Sequence, residues 1–339
     1  MNEHLVYRVI IMNQEIKKLN IKAEQYAKQL DKVLEEIRKV IVGQEEILEK
    51  LLISLIADGH VLLEGVPGLA KTLMIKILSD TLSAKFHRIQ FTPDLLPADI
   101  TGTKIYNHKD QSFSTQKGPI FTNFILADEI NRAPPKVQSA LLEAMQERQV
   151  TIQGDTFPLQ KPFLVLATQN PIETEGTYKL PEAQVDRFMF KILIDYPTKE
   201  EEKVIIQRNT QGHEFKINHI LKPEDIMKIQ KFNQKIYADE KIEEYVSSIV
   251  DATRNPKKYH LEFDGHIDYG ASPRASIWLI LAAKAHALLN SRGYVIPEDI
   301  KAIAHDVLRH RIILSYEAEA EELTTDEIID KILQKIKVP

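Results

Sequence analysis

The sequence predicts an α/β fold built on a parallel sheet, followed by an all-helical domain. Three observations lead there. The apolar run Val61-Leu62-Leu63 passes directly into a glycine-rich loop and then into a helix-forming segment. Two further short apolar runs, Phe124 to Ala127 and Pro162 to Thr168, lead into polar residues. Such runs are what parallel strands look like when helices cover both faces of the sheet. From Pro197 onward, apolar residues recur at helical spacing almost without interruption.

With 339 residues the chain is long enough for two domains with buried cores. Hydrophobic residues make up 43% and charged residues 27%, the ordinary balance of a soluble globular protein. No run approaches the roughly 18 apolar residues of a membrane span. The patch Val9-Ile10-Ile11-Met12 is followed by no small-residue cleavage site, so it does not read as a signal peptide and a cytoplasmic location is expected. The absence of cysteine excludes disulfides, thiolate metal sites and a cysteine nucleophile. A net charge of −5 without a long basic block disfavours a general nucleic-acid footprint.

The stretch His60 to Leu73, HVLLEGVPGLAKTL, has the layout of a phosphate cradle. Gly65 and Gly68 let backbone N–H groups converge where a Cβ would crowd an anion, and the following helix adds its positive N-terminal end. Lys71 supplies a point charge for the β- and γ-phosphates, and the Thr72 hydroxyl can ligate Mg²⁺. Ala70 stands where the strict pattern G-x-x-x-x-G-K-[ST] has its second glycine. Taken alone, the match is also compatible with an ordinary strand-to-helix turn.

Upstream, Leu30, Val33, Leu34, Ile37 and Ile41 predict a long amphipathic helix within Asn13 to Ile56, broken at Val42-Gly43-Gln44 and resumed at Glu45. The break is either a helix C-cap on Gly43 or a turn laid against an adenine ring. Downstream come a core helix over Leu73 to Ser83, a strand over Phe86 to Phe91, and an exposed hairpin from Thr103 to Gly118 turning at Asn107-His108-Lys109-Asp110.

The run Phe124 to Ala127 then delivers Asp128 and Glu129 to the carboxyl edge of the sheet, where open α/β sheets place ligands. Asp128 is suited to the Mg²⁺ shell and Glu129 to polarising an attacking water. A helix within Asn131 to Gln149 and a second hairpin around Gln153-Gly154-Asp155-Thr156 precede the strand ending at Thr168. Beyond it, Asn170 is either a turn residue before Pro171 or an amide that orders the water. Arg187, ahead of a last strand Met189 to Ile194, is either a salt-bridge partner or a cation for a neighbour's site.

Helices are then predicted over Glu200 to Arg208, Pro223 to Ala238, Lys241 to Arg254, Ala275 to Leu289, Pro297 to Leu308 and Thr325 to Ile336. The loop Asn255 to Gly270 carries His260, Asp264, His266 and Asp268, which read as a hydrated loop because no fixed spacing organises them as metal ligands.

Together, G-V-P-G-L-A-K-T, L-A-D-E-I-N-R-A, L-A-T-Q-N-P, E-A-Q-V-D-R-F and G-A-S-P-R-A resemble the MoxR family of AAA+ ATPases, from about Ile41 to about Glu322. The resemblance implies a five-stranded parallel sheet of order 5-1-4-3-2 with two inserted hairpins and an all-α lid. It divides the chain into an N-terminal helical extension (1–40), a nucleotide-binding domain (41–196) and the lid (197–339). It implies ATP and Mg²⁺ as cofactors. ATP is held by Gly43 and Gln44 and by Gly65-Val66-Pro67-Gly68-Leu69-Ala70-Lys71-Thr72-Leu73, with Thr72 and Asp128 at the metal. The Ala70 Cβ is accommodated if φ there is negative. By the same resemblance Glu129 is the Walker B acid, Asn170 sensor 1, Arg187 the arginine finger and Arg274 sensor 2. It further implies a homohexameric ring acting as a chaperone on a protein client beside a von Willebrand A (VWA) domain partner. A nucleic-acid motor is the alternative, and a slow nucleotide-dependent switch is a third reading.

Overall fold

The computed structural model describes all residues except 1–2, 67, 110, 173–175, 211–214 and 264. Helix α1 (Glu3–Arg38) opens the chain and buries Ala23, Ala27, Leu30, Leu34 and Ile37, a stripe at helical spacing. Gly43 (φ 69°) and Gln44 (φ 56°) then turn the backbone through the left-handed region, and α2 (Glu45–Ile56) begins. Strand β1 (Val61–Glu64), helix α3 (Lys71–Thr81) and strand β2 (Phe86–Gln90) follow.

A short helix α4 (Pro97–Thr101) leads into the antiparallel hairpin β3 (Gly102–Asn107) and β4 (Ser112–Lys117). Strand β5 (Phe124–Asp128), a 3-10 turn and α5 (Pro135–Glu147) come next. The second hairpin, β6 (Gln149–Ile152) and β7 (Asp155–Pro158), turns on two residues, not the four expected. Gln153 (φ 46°) and Gly154 (φ 93°) are both left-handed, so the chain reverses within them and Asp155 pairs with Ile152. Strand β8 (Leu164–Gln169), helix α6 (Glu182–Val185), strand β9 (Phe190–Leu193) and helix α7 (Lys199–Thr210) complete this part.

The main sheet is parallel throughout, in the order β2-β5-β8-β1-β9. Numbered as core strands in chain order this is 5-1-4-3-2, as expected. Phe124, Ile125, Leu126 and Ala127 of β5 are fully buried, as are Val165, Leu166 and Ala167 of β8. Each of the larger side chains contributes about 1.5–3 kcal/mol by leaving water, so these two interior strands anchor the sheet. Buried His60 closes the amino end of β1: its Nδ1 accepts from Val165 N–H at 3.0 Å, and Nε2 lies 3.2 Å from the Met145 carbonyl. Burial pushes its pKa well below the ordinary histidine range. It is a neutral core residue.

The remaining elements are α8 (Pro223–Asn233), α9 (Glu240–Arg254), β10 (Ile267–Tyr269), α10 (Pro273–Leu289), α11 (Pro297–Leu308), β11 (Ile313–Leu314), α12 (Tyr316–Ala320) and α13 (Thr325–Lys335). Helix α8 stops before the expected Ala238. Tyr237 N–H donates to Gly293 and Val295 N–H to Tyr237, which draws that backbone into extended pairing, and Asp239 then caps α9. The helical lid also holds one short ribbon, β10 paired with β11, whose strands are too brief to show a period in sequence. Asp264 of the loop before it lies outside the described residues.

The chain forms two compact units, Lys32–Met227 and a second made of Lys228–Pro339 together with the residues up to Asp31. In the second, Tyr26 stacks on Phe232 with ring centroids 5.2 Å apart, and Asn20 Oδ1 accepts from Gly293 N–H at 2.7 Å. Its fully buried Asp299 takes two bonds from Arg292 and one from His286, a satisfied ionic cluster at the start of α11.

Candidate nucleotide site

The phosphate loop spans the gap between the end of β1 at Glu64 and the start of α3 at Lys71. A Cβ on Gly65 would stand 2.7 Å from the Ile194 carbonyl oxygen, so this glycine is demanded by the neighbouring chain and not only by an anion. Gly68 has φ 88° and open space around it. The condition on Ala70 is not met: it caps α3 at φ 55°, ψ 20°, in the left-handed region where its Cβ is strained. That is the position of the second glycine in the strict pattern. Ala70→Gly is therefore expected to raise stability by about 1 kcal/mol, read as a shift in the urea midpoint at unchanged slope.

Val66 is half-buried, Leu69 is buried and Leu73 is exposed on α3, while Pro67 lies outside the described residues. Lys71 Nζ folds back onto the Gly65 carbonyl at 2.5 Å. Burial draws its pKa below the ordinary lysine value against the opposing field of Asp128, Glu129 and Glu64. Leu63, just before the loop that Lys71 folds onto, is level with Thr168, whose hydroxyl bonds both acids, so the lysine and the acids stand at one end of the sheet.

Sheet register builds the acid side of that rim. Gln90 at the end of β2 is level with Asp128 at the end of β5, and Ala127 is level with Ala167 of β8. Thr168 joins both acids: its hydroxyl donates to Asp128 Oδ1 at 2.6 Å and accepts from Glu129 N–H at 2.8 Å. Asp128 Oδ2 accepts from Arg88 Nε at 3.0 Å and Nη2 at 2.6 Å. Glu129, the first residue past β5, has φ 56°, and its Oε2 accepts from Gln90 Nε2 at 2.7 Å. Arg132 Nη1 lies 3.4 Å from the same oxygen.

Asn170 continues β8 onto the rim, and its Oδ1 accepts from Ile172 N–H at 3.1 Å. The turn role is therefore present, and the Nδ2 end remains as a donor. Gly43 approaches α7 so closely that a Cβ would meet the Glu201 carboxylate. Gln44 carries a buried Oε1 with no hydrogen-bond partner. Arg274 lies in the first turn of α10, in the other unit.

Two family models match the chain, the "ATPase family associated with various cellular activities (AAA)" over residues 60–190 and the AAA lid domain over 263–332. Chaperone MoxR1 of Mycobacterium tuberculosis is 48% identical over 311 residues, covering 91% of this chain and 82% of the relative. Protein MoxR of Paracoccus denitrificans is 32% identical over 321 residues, covering 88% and 93%. The chain belongs to the MoxR family of AAA+ ATPases. The fold of this MoxR-family member matches a crystal structure from Cytophaga hutchinsonii with a TM-score of 0.90 at 52% identity, covering 96% of this chain and 99% of that one.

Sequence reasoning missed four residues that contact the two acids of this candidate site: Arg88, Gln90, Arg132 and Thr168. Arg88 and Gln90 carried a signal, because two polar residues two apart on a strand share a face. Thr168 carried one as well, a hydroxyl one step before the strand's end. The donor set suits the implied ligands. Oxygens from a threonine hydroxyl and a carboxylate match a hard divalent cation, and the orphaned acceptor on Gln44 matches a base with an exocyclic amino group.

Proposed function

We propose that this MoxR-family protein hydrolyses ATP to ADP and phosphate with Mg²⁺, as a homohexameric ring, and uses the cycle to remodel a client protein. The observation that carries this reading is the gathering of Lys71, Asp128 and Glu129 on one rim of the sheet. Lys71 leaves the Gly65 carbonyl to meet the phosphates, drawn by charge that a backbone oxygen cannot match. Thr72 and Asp128 hold the metal, whose part is to neutralise charge on the phosphoryl oxygens. Glu129 takes a proton from the attacking water, and the Asn170 amide positions that water. Gln44 reads the base, and Arg274 acts as sensor 2.

The first hairpin supports a protein client. Phe113 is 68% exposed, and Tyr106 packs on it with ring centroids 5.1 Å apart. Lys104 ties this hairpin to the second through Asp155 at 2.9 Å. Exposed aromatic side chains bind unfolded segments through apolar area. By sequence the first turn sets Lys109 beside Asp110, and the second, Gln153-Gly154, carries no charge, poor material for gripping nucleic-acid phosphates. A VWA-domain protein is the proposed partner in maturing the client.

Calorimetry with Mg²⁺ and ATP tests the reading. Wild type is expected to bind with measurable heat and Lys71→Ala to lose at least about tenfold in affinity. Specific activity is expected to rise with protein concentration as rings assemble. Heat equal in both proteins would remove Lys71 from its role.

A further inference from the structure

Arg88 stands on β2, the edge strand beside β5, and reaches across to the acid of its neighbour. Its Nε and Nη2 both donate to Asp128 Oδ2, while Nη2 also lies 2.8 Å from Gln90 Oε1. Thr168 takes the other oxygen, Oδ1. A carboxylate offers about four acceptor positions, so Arg88 and Thr168 together fill most of them. A metal, or a water on a metal, approaching Oδ2 meets both of that oxygen's positions already taken and the positive guanidinium in its way.

Exposure decides which donor leaves. The Arg88 side chain is 49% exposed and the Asp128 side chain 17%. Arg88 can turn into water and keep its charge solvated, whereas Asp128 stays where the strand holds it. Thr168 is buried and also accepts from Glu129 N–H, so its departure would orphan a second group. The guanidinium is the displaceable partner.

We propose that Arg88 is the resident counter-cation of Asp128, given up only when a divalent cation arrives together with the nucleotide. This rests on the reading of Asp128 as a metal-shell residue. A bare cation must evict Arg88 and gains little beyond the two acids. A cation delivered with a triphosphate brings further oxygen ligands with it, and the exchange becomes favourable. The clasp therefore refuses free metal and couples metal binding to nucleotide binding.

The test is a titration of Mn²⁺ into nucleotide-free protein, with free Mn²⁺ read by electron paramagnetic resonance. Wild type is expected to bind weakly, and Arg88→Met at least about tenfold more tightly, since a neighbouring charge of either sign readily moves such an equilibrium by that factor. Adding Asp128→Asn to Arg88→Met is expected to abolish the gain. Arg88→Lys keeps the charge without the two-donor fork and should fall between, and it tests the clasp equally should the methionine variant not fold. Equal affinity in wild type and both Arg88 variants, with Asp128→Asn weakening all of them, overturns the clasp and leaves the metal role of Asp128 standing. Mn²⁺ affinity indifferent to Asp128→Asn overturns both.

Discussion

Glu129→Gln protein is expected to bind ATP as wild type does and to lose turnover by about a hundredfold or more, the usual contribution of a positioned general base. The substitution preserves shape and removes only the capacity to take a proton. The Gln90 amide can still donate to the new side-chain oxygen, as it donates now to Oε2 at 2.7 Å. The backbone is held independently, through the bond from its N–H to Thr168, so the unusual φ of 56° persists. Lys71 loses one of the three acids facing it but keeps its place on the phosphate loop, and nucleotide affinity should survive. Equilibrium binding of a fluorescent ATP analogue and steady-state phosphate release separate the two effects. Turnover at the wild-type rate would take Glu129 out of the reaction. On the proposed remodelling function, the same variant trapped with ATP is the natural bait for a client, because a stalled cycle would hold what it has bound.

Much of this arrangement was legible in the sequence for one reason. Strands covered on both faces must be apolar along their length, so β1, β5 and β8 stand out, and the first polar residue after each apolar run (Glu64, Asp128, Thr168) marks the carboxyl rim. Five ordered motifs then specified strand order, which no periodicity can. What stayed hidden depends on backbone angles or on side chains crossing between strands. Ala70 does not announce that it will sit at φ 55°. The edge strand FHRIQ has a single buried residue, Ile89, and its polar positions read as solvent-facing until register sets them beside Asp128. The ribbon in the lid pairs strands of three and two residues, below the length at which alternation has meaning.

Arg187→Ala is expected to cut turnover by about a thousandfold, the scale on which a cation from outside the site acts on phosphoryl transfer. Register is consistent with the proposal that this cation serves another copy of the chain. Phe190 of β9 is level with Val61 of β1, and Leu193 is level with Glu64, where the phosphate loop begins. Met189 N–H donates to the His60 carbonyl, at the amino end of β1. Arg187 comes earlier still, in the turn between α6 and β9, before the strand has started toward the rim that carries Glu64. Its Nη1 donates to the Leu142 carbonyl at 3.0 Å, and its Nε is a buried donor with no partner. A buried donor left unpaired costs about 1–3 kcal/mol, so the lone protomer holds this side chain imperfectly, and a phosphate presented by a neighbour offers it a better partner. Arg187→Ala subunits keep an intact Glu129, and Glu129→Gln subunits keep an intact Arg187. Mixed rings therefore contain junctions where both groups are present, and mixing two nearly inactive proteins should restore phosphate release. If no ratio of the two recovers activity while both bind ATP and assemble, the shared site is wrong and Arg187 is a packing residue of α5 and α6.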